Sequence, residues 1–443
     1  LKDIAHIFRS YDVRGIYGKD LNEDIMERIG NAFAQFTNKD VTVARDMRAH
    51  SKSLCDAFIK GITEAGKNVT FLGILPLGVG MFRAWNKQQY AYITASHLPK
   101  EWNGVKFYNK NGVGFFEKEN YSIRDIVLSG KITDVKKRGK ITKENNKKII
   151  EEYKKYLLSR IRAKKRIKIA LDCGNGCAGL VARDLFSRAG FSATAIFEEL
   201  DGTFPNRNPE PSEDPLKELK KHKGLGIAYD GDGDRMLLVY DNKVVQTEQT
   251  AYIILSHLLE KEKGPVVANI ECTRLIDDVA KKFKRRVIRV PVGHTFLVQE
   301  VFRNNACFGV EKSGHYIIPS IVPVDDSLAV SVYTAEVISS INNFEKFLGR
   351  IPKYHFARIN FDCDDRKKFF VIENLKRKLS KKYKKLSTLD GVRVDLANGW
   401  ILFRASNTSP LIRMSIEGKS ISDLEKIKNE FAEKLKEEIN KLM

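Results

Sequence analysis

Apolar strands alternate with amphipathic helices through most of this chain, and that alternation leaves few folds open. The stretch "RIKIALDCGNGCAGLVARDLFSRAGF" shows it in one piece: a buried-type strand, a Gly-rich turn, then a helix. Nearer the N-terminus "VTVARDM" reads as a strand, "SLCDAFIKGITEAG" as a helix, and "NVTFLG" and "AYITAS" as further strands, in β-α-β order. A third unit runs from "NKVVQTEQTAYIILSHLLEK" to "CFGVEKSGHYI". The last quarter differs, with the helix "ENLKRKLSKKY", the strands "GVRVDL" and "WILFRAS", and a long final helix. The predicted class is α/β: three similar mixed α/β domains and a smaller C-terminal α+β domain. The boundaries predicted are 1–138, 139–242, 243–350 and 351–443, with "SGKITDVKKRGKITKEN" as a basic linker after the first unit.

Composition narrows the classes of function. No apolar run is long enough to span a bilayer, and "LKDIAHIFRSYDVRG" lacks the apolar core of a signal peptide, so a soluble, cytoplasmic protein is expected. The six cysteines (Cys55, Cys173, Cys177, Cys272, Cys307, Cys363) are scattered without zinc-like spacing and read as buried thiols. The charge balance is unusual, with 77 basic against 56 acidic residues and a net charge of +21. The lysine clusters sit in helical patterns with apolar residues three and four apart, which makes them solvated helix faces. They carry no aromatic stacking platform, so a nucleic-acid partner is not expected, whereas an anionic substrate would gain from the same field.

The strongest chemical signal is "YDGDGDR". Asp230, Asp232 and Asp234 follow an apolar strand, and three carboxylates so close repel unless a cation neutralises them. Hard oxygen ligands select Mg²⁺ or Ca²⁺, and Gly231 and Gly233 let the backbone bend so that alternate side chains converge. An EF-hand does not fit, because its sixth position holds Arg235 and its twelfth Asp241. A phosphatase with an aspartyl nucleophile is the more serious rival. In "GVEKSGHY", an extended segment would place Glu311, Ser313 and His315 on one side, where a carboxylate and a hydroxyl suit a vicinal diol. In "FRASNTSPLIR", Arg404, Ser406, Asn407, Thr408 and Arg413 have the makings of a phosphate cradle. "FRSYDVRG" adds Arg9, Tyr11, Asp12 and Arg14 in a short stretch.

Ser96, in "YITASHLPKEWNGVKF", has no Gly-x-Ser-x-Gly elbow, and a bare hydroxyl is a weak nucleophile. Beside a metal, a cradle and a diol reader it has another use. A phosphoryl group carried on Ser96 would be the reactive species, and its oxygens would complete the metal's ligands.

The motifs "FRSYDVRG", "TASHLP", "DGDGDR", "GVEKSGH" and "RASNTSP" occur in an order and spacing that resembles the α-D-phosphohexomutase superfamily over essentially the whole chain. The start, Gly233 and "RASNT" are most similar to its phosphomannomutase/phosphoglucomutase group. The resemblance implies four domains around a central cleft, with Ser96 the phosphoserine and a ligand, with Asp230, Asp232 and Asp234, of one Mg²⁺. It implies Arg14, Lys106 and Arg235 around the transferring phosphoryl and His97 beside Ser96. Glu311 and Ser313 would read the sugar's 3- and 4-hydroxyls, and Arg404, Ser406, Asn407 and Thr408 would hold the distal phosphate. Tyr11, His294 and His315 match substrate-side positions, and the general acid and base stay open among Lys106, Arg14, His315 and the phosphoryl oxygens.

The reaction implied moves phosphate between C1 and C6 of mannose or glucose through a hexose 1,6-bisphosphate, which also serves as activator, in a monomer or homodimer. A phosphoglucosamine mutase, a metal-dependent sugar phosphatase and a catalytically silent binder are the alternatives. Four residues depart from the family pattern. Leu98 stands where Asn is usual, Glu271 where some relatives have a phosphate-facing Lys, and Thr295 and Ser327 flank motifs at variable places.

Overall fold

The computed structural model describes residues 2–212, 216–406 and 410–441. Four sheets follow one another along the chain, one in each predicted unit. The first has the strand order Asp12–Ile16, Trp102–Tyr108, Gln89–Ile93, Val41–Arg45, Val69–Ile74, Ile141–Lys143. Its first three strands pair antiparallel, and the rest of the ladder is parallel. The second sheet, Lys243–Val245, Met236–Tyr240, Leu225–Tyr229, Lys168–Asp172, Ser192–Ile196, repeats that mixture. So does the third, Val287–Val290, Val266–Asn269, Phe308–Glu311, His315–Ile317. The fourth, His355–Asp362, Leu411–Gly418, Gly399–Ala405, Val392–Leu396, Leu386–Ser387, is antiparallel throughout.

One boundary moves. The stretch read as a linker contributes Ile141–Lys143 as an exposed edge strand beside Val69–Ile74, so the first sheet extends past residue 138. A strand of three residues with all side chains in solvent leaves no periodic signal.

Alternation along the strands divides the core. Val41, Val43, Ala91, Ile93, Val105 and Phe107 face helices Glu23–Thr37, Ser51–Glu64 and Glu117–Leu128. The intervening Tyr90, Tyr92 and Tyr108 face the other way, into a core that continues through Ile169, Leu171, Ile227 and Val310. The first three units therefore share one continuous apolar core, whereas the C-terminal unit closes its own around Phe403, Ile416 and Phe431. In its helix Lys368–Lys382, Val371, Ile372, Leu375 and Leu379 point inward and the lysines of the last turn lie in solvent. All six cysteines are buried and unpaired. Among the described residues no helix is long and apolar enough to cross a membrane.

Each sheet contains one antiparallel pair whose connecting turn carries a polar motif. Ser96 follows Gln89–Ile93, the aspartates follow Leu225–Tyr229, Lys312–Gly314 follows Phe308–Glu311, and Ser406 follows Gly399–Ala405. Four separate turns thus become available to line one cleft.

Candidate active site

Ser96 is almost fully buried and adopts a left-handed backbone, with φ of 51°. A non-glycine residue pays about 1–2 kcal/mol for that conformation, so the surrounding structure must impose it. Thr94 Oγ1 accepts from Ser96 N at 2.8 Å, and the guanidinium of Arg48 grips the turn from below. Its Nη2 donates to Ser96 O (2.8 Å) and Leu98 O (2.6 Å), and its Nη1 to Pro99 O (2.7 Å) and Trp102 O (3.1 Å). Nε donates to Asp46 Oδ2 at 3.1 Å. Sequence reading missed Arg48 and Asp46 because neither belongs to a motif. "ARDMR" offers only a charged pair after a strand.

The hydroxyl of Ser96 donates to Asp230 Oδ2 at 2.9 Å. The contact needs two bare glycines: a Cβ on Gly231 would lie 2.7 Å from Ser96 O, and Gly233 has φ of 76°. Asp230, Asp232 and Asp234 are all buried, and each offers one carboxylate oxygen within 4.8 Å of the others. Asp230 Oδ1 accepts from Gly233 N (3.0 Å) and Arg235 N (3.1 Å). Burial and its two acidic neighbours push the Asp230 carboxyl well above the usual range. Lys106 Nζ meets Asp232 Oδ2 (3.0 Å) and Asp234 Oδ2 (2.6 Å). Burial works against charge on Lys106, yet those two carboxylates hold its pKa well above the ordinary lysine value. Asp232 Oδ1 and Asp234 Oδ1 are buried without a hydrogen-bond partner. Two orphaned carboxylate oxygens converging with a third carboxylate and a hydroxyl fit a small divalent cation.

Cations and imidazoles surround this centre. Arg14 lies next to it on Asp12–Ile16, clamped by Asp12 Oδ2 at 2.7 Å, in the strand that pairs with the Lys106 strand. His97 Nδ1 is 3.4 Å from Ser96 Oγ, and burial together with Arg235, Arg14 and Lys106 keeps the ring neutral. Arg235 Nε donates to His315 Nε2 at 3.0 Å, and His315 Nδ1 lies 2.7 Å from Asp325 Oδ2. Burial disfavours the charged His315, but Asp325 and Asp234 outweigh it and raise its pKa. His294 stacks on His315 at 5.5 Å and is held neutral by burial and by His315.

The third turn differs in shape from the expectation. "EKSGH" is not extended: Glu311 and His315 sit opposite each other across a tight turn whose Gly314 has φ of 96°. Glu311 Oε1 accepts from Ser313 Oγ at 2.7 Å and Oε2 from Gly293 N at 2.8 Å, so the carboxylate and hydroxyl do stand together. Tyr11 packs edge-on against Phe296 at 5.6 Å and touches the Gly293 turn. Burial and the nearby Asp390 push its phenol up to about 12.

In the C-terminal unit Arg404 pairs with Asp390 (2.9 Å), whose carboxylate also accepts from Val292 N (3.0 Å), and approaches Glu271 (3.6 Å). Glu271 binds Arg358 at 2.9 Å, so this departure from the family pattern has a cationic partner in the neighbouring unit. Arg413 lies opposite Arg404 in the ladder, and its Nε is buried without a partner among the described residues. Ser406 is buried beside them, and Asn407 and Thr408 lie outside the described residues. Ser327, another departure, donates to Asp234 O at 2.7 Å and so props the triad turn.

A serine on a buried carboxylate triad, ringed by cations and approached by turns of the first three sheets, has the makings of a phosphoryl-transfer type of centre. Models of the phosphoglucomutase/phosphomannomutase family match it domain by domain: alpha/beta/alpha domain I over residues 5–134, domain II over 148–243, domain III over 246–354 and the C-terminal domain over 359–434. The chain belongs to that family, within the α-D-phosphohexomutase superfamily, and like its relatives is a phosphomutase-type enzyme. It is 31% identical to a phosphoglucosamine mutase of Methanocaldococcus jannaschii, covering 98% of this chain and 100% of that one. It is 30% identical to a phosphomannomutase/phosphoglucomutase of Pseudomonas putida, over 97% and 95%. A solved phosphoglucomutase/phosphomannomutase family protein from Burkholderia thailandensis superposes with a TM-score of 0.89 at 24% identity, over 98% of both chains.

Proposed function

We propose that the protein interconverts hexose 1-phosphates and hexose 6-phosphates of mannose and glucose, through a phosphoserine at Ser96 and a hexose 1,6-bisphosphate. The observation that carries this reading is the 2.9 Å bond from Ser96 Oγ to Asp230, with Lys106 on the other two aspartates. In this reading Ser96 and the three aspartates would hold one Mg²⁺. Bound there, the cation supplies neutralisation of the charge on the transferring phosphoryl.

The chain's own residues then divide the work. As the P–Oγ bond of phospho-Ser96 breaks, a P–O bond forms to the sugar's free C6 or C1 hydroxyl, which gives up its proton while the released Ser96 Oγ takes one up, so the transfer is proton-neutral overall. Lys106, which meets Asp232 and Asp234, presents its amine to the phosphoryl, and the general acid and base are sought among Lys106, Arg14, His315 and the phosphoryl oxygens. Arg14 and Arg235 add charge on the same side. Glu311 and Ser313 present an acceptor and a hydroxyl to the sugar's 3- and 4-hydroxyls, and Arg404 with Ser406, Asn407 and Thr408 receives the distal phosphate. The bisphosphate turns over, and its other phosphoryl returns to Ser96.

Both sugar orientations must satisfy the same grips, so the reader keys on hydroxyls common to glucose and mannose. That supports turnover of both mannose and glucose phosphates. Glucosamine carries the same two hydroxyls, and relatives of nearly equal identity bear both names, so the choice against it falls to the assay. The six unpaired buried thiols support a reducing, cytoplasmic setting. A coupled assay with mannose, glucose and glucosamine 1-phosphates, started with a hexose 1,6-bisphosphate, tests the reading. Turnover of the first two is expected. Release of inorganic phosphate, or preference for glucosamine 1-phosphate, overturns it.

A further inference from the structure

The sugar-reading turn contains a residue that takes no part in reading. Lys312, between Glu311 and Ser313, leaves the turn in another direction, and its Nζ donates to Glu248 Oε1 at 2.7 Å. Glu248 is 3% exposed and sits in the first turn of helix Thr247–Lys261. The same ammonium stands 4.1 Å from the ring centroid of Phe356, in the strand by which the chain enters the C-terminal unit. Burial opposes charge on Lys312, and Glu248 more than restores it. One lysine therefore ties the turn to a helix of its own unit and to the first strand of the next.

From Phe356 the contacts continue. Arg358 lies 5.8 Å from the ring, binds Glu271 at 2.9 Å, and Glu271 reaches Arg404 at 3.6 Å. The segment 352–356 borders a cavity of about 600 Å³ lined by Glu248, Lys312, Tyr354 and Glu417 among others. Phe356 is anchored in its own unit by the ladder with Glu417 and by Trp400, so the Lys312 ammonium joins the sugar-reading turn to an ordered strand. We propose that Lys312 is a positioning residue that couples the sugar-reading turn to the phosphate cradle through Phe356, Arg358 and Glu271. A cation between a carboxylate and an aromatic face links both partners, and its loss uncouples the turn from the strand. The inference rests on the functional reading of the two grips given above.

The test is a double-mutant cycle on KM between Lys312 and Arg404, which share no contact. K312M is expected to raise KM for hexose 1-phosphate five- to tenfold with kcat within twofold, and K312R to restore KM to within twofold. The K312M and R404K effects on KM are expected to combine non-multiplicatively, by at least threefold. K312M/E248Q, which strands no buried carboxylate, should keep the raised KM. Unchanged KM in K312M, or effects that multiply within 1.5-fold, overturn the coupling. Hydrogen exchange requires no turnover and so separates this inference from the function: K312M should loosen both 308–317 and 354–360. Loosening confined to the turn refutes the coupling even in an active enzyme.

Discussion

Replacing Arg48 by lysine keeps the charge and removes the fork. The guanidinium makes five hydrogen bonds, four of them to the carbonyls of residues 96, 98, 99 and 102, from a side chain 0% exposed. An ammonium has three donors, so at least two bonds are lost. At about 1.5–3 kcal/mol for each charge-assisted bond, the loss is about 3–6 kcal/mol before relaxation. That exceeds the roughly 1–2 kcal/mol by which the left-handed backbone of Ser96 resists its position. The turn should therefore spend most of its time relaxed, with Ser96 Oγ away from Asp230. Taking the low end, about 3 kcal/mol, kcat is expected to fall about 160-fold. KM should stay within threefold, since Arg48 touches neither the sugar turn nor the cradle. Steady-state assays on R48K, with thermal unfolding to verify an intact fold, decide the matter. A kcat within threefold of wild type would refute the idea that Arg48 imposes the serine's position.

Ser96→Ala is expected to abolish isomerisation and to remove any species heavier by one phosphoryl in the intact mass; persistent turnover would sink the phosphoserine. Asp232→Asn removes one of the orphaned carboxylate oxygens, so the Mg²⁺ titration of activity should shift to at least tenfold higher concentration, and an identical titration counts against the triad. Arg413 lies opposite Arg404, and its buried Nε has no partner among the described residues, which suits it to an anion. R413M should raise KM for hexose phosphates and the inhibition constant of inorganic phosphate by about tenfold each, equivalent to about 1.4 kcal/mol, and no change in either removes Arg413 from the cradle.

What could be read from residues alone was whatever depends on local order. Strand and helix periods, the "DGDGD" spacing and the five motifs follow from neighbours a few positions apart, so the α/β class and the centre's main members were legible. Contacts between distant parts of the chain were not. Arg48 serves a turn some fifty positions away from a segment in no motif, and Glu271 and Ser327, noted only as departures from a family pattern, turn out to neutralise arginines of the next unit and to prop the triad. The edge strand Ile141–Lys143 and the tight turn at Gly314 were equally silent, because both are set by pairing partners and not by side-chain period. Chemistry was written in short words; which words face one another, and what holds them there, was decided when the sheets packed and their turns met.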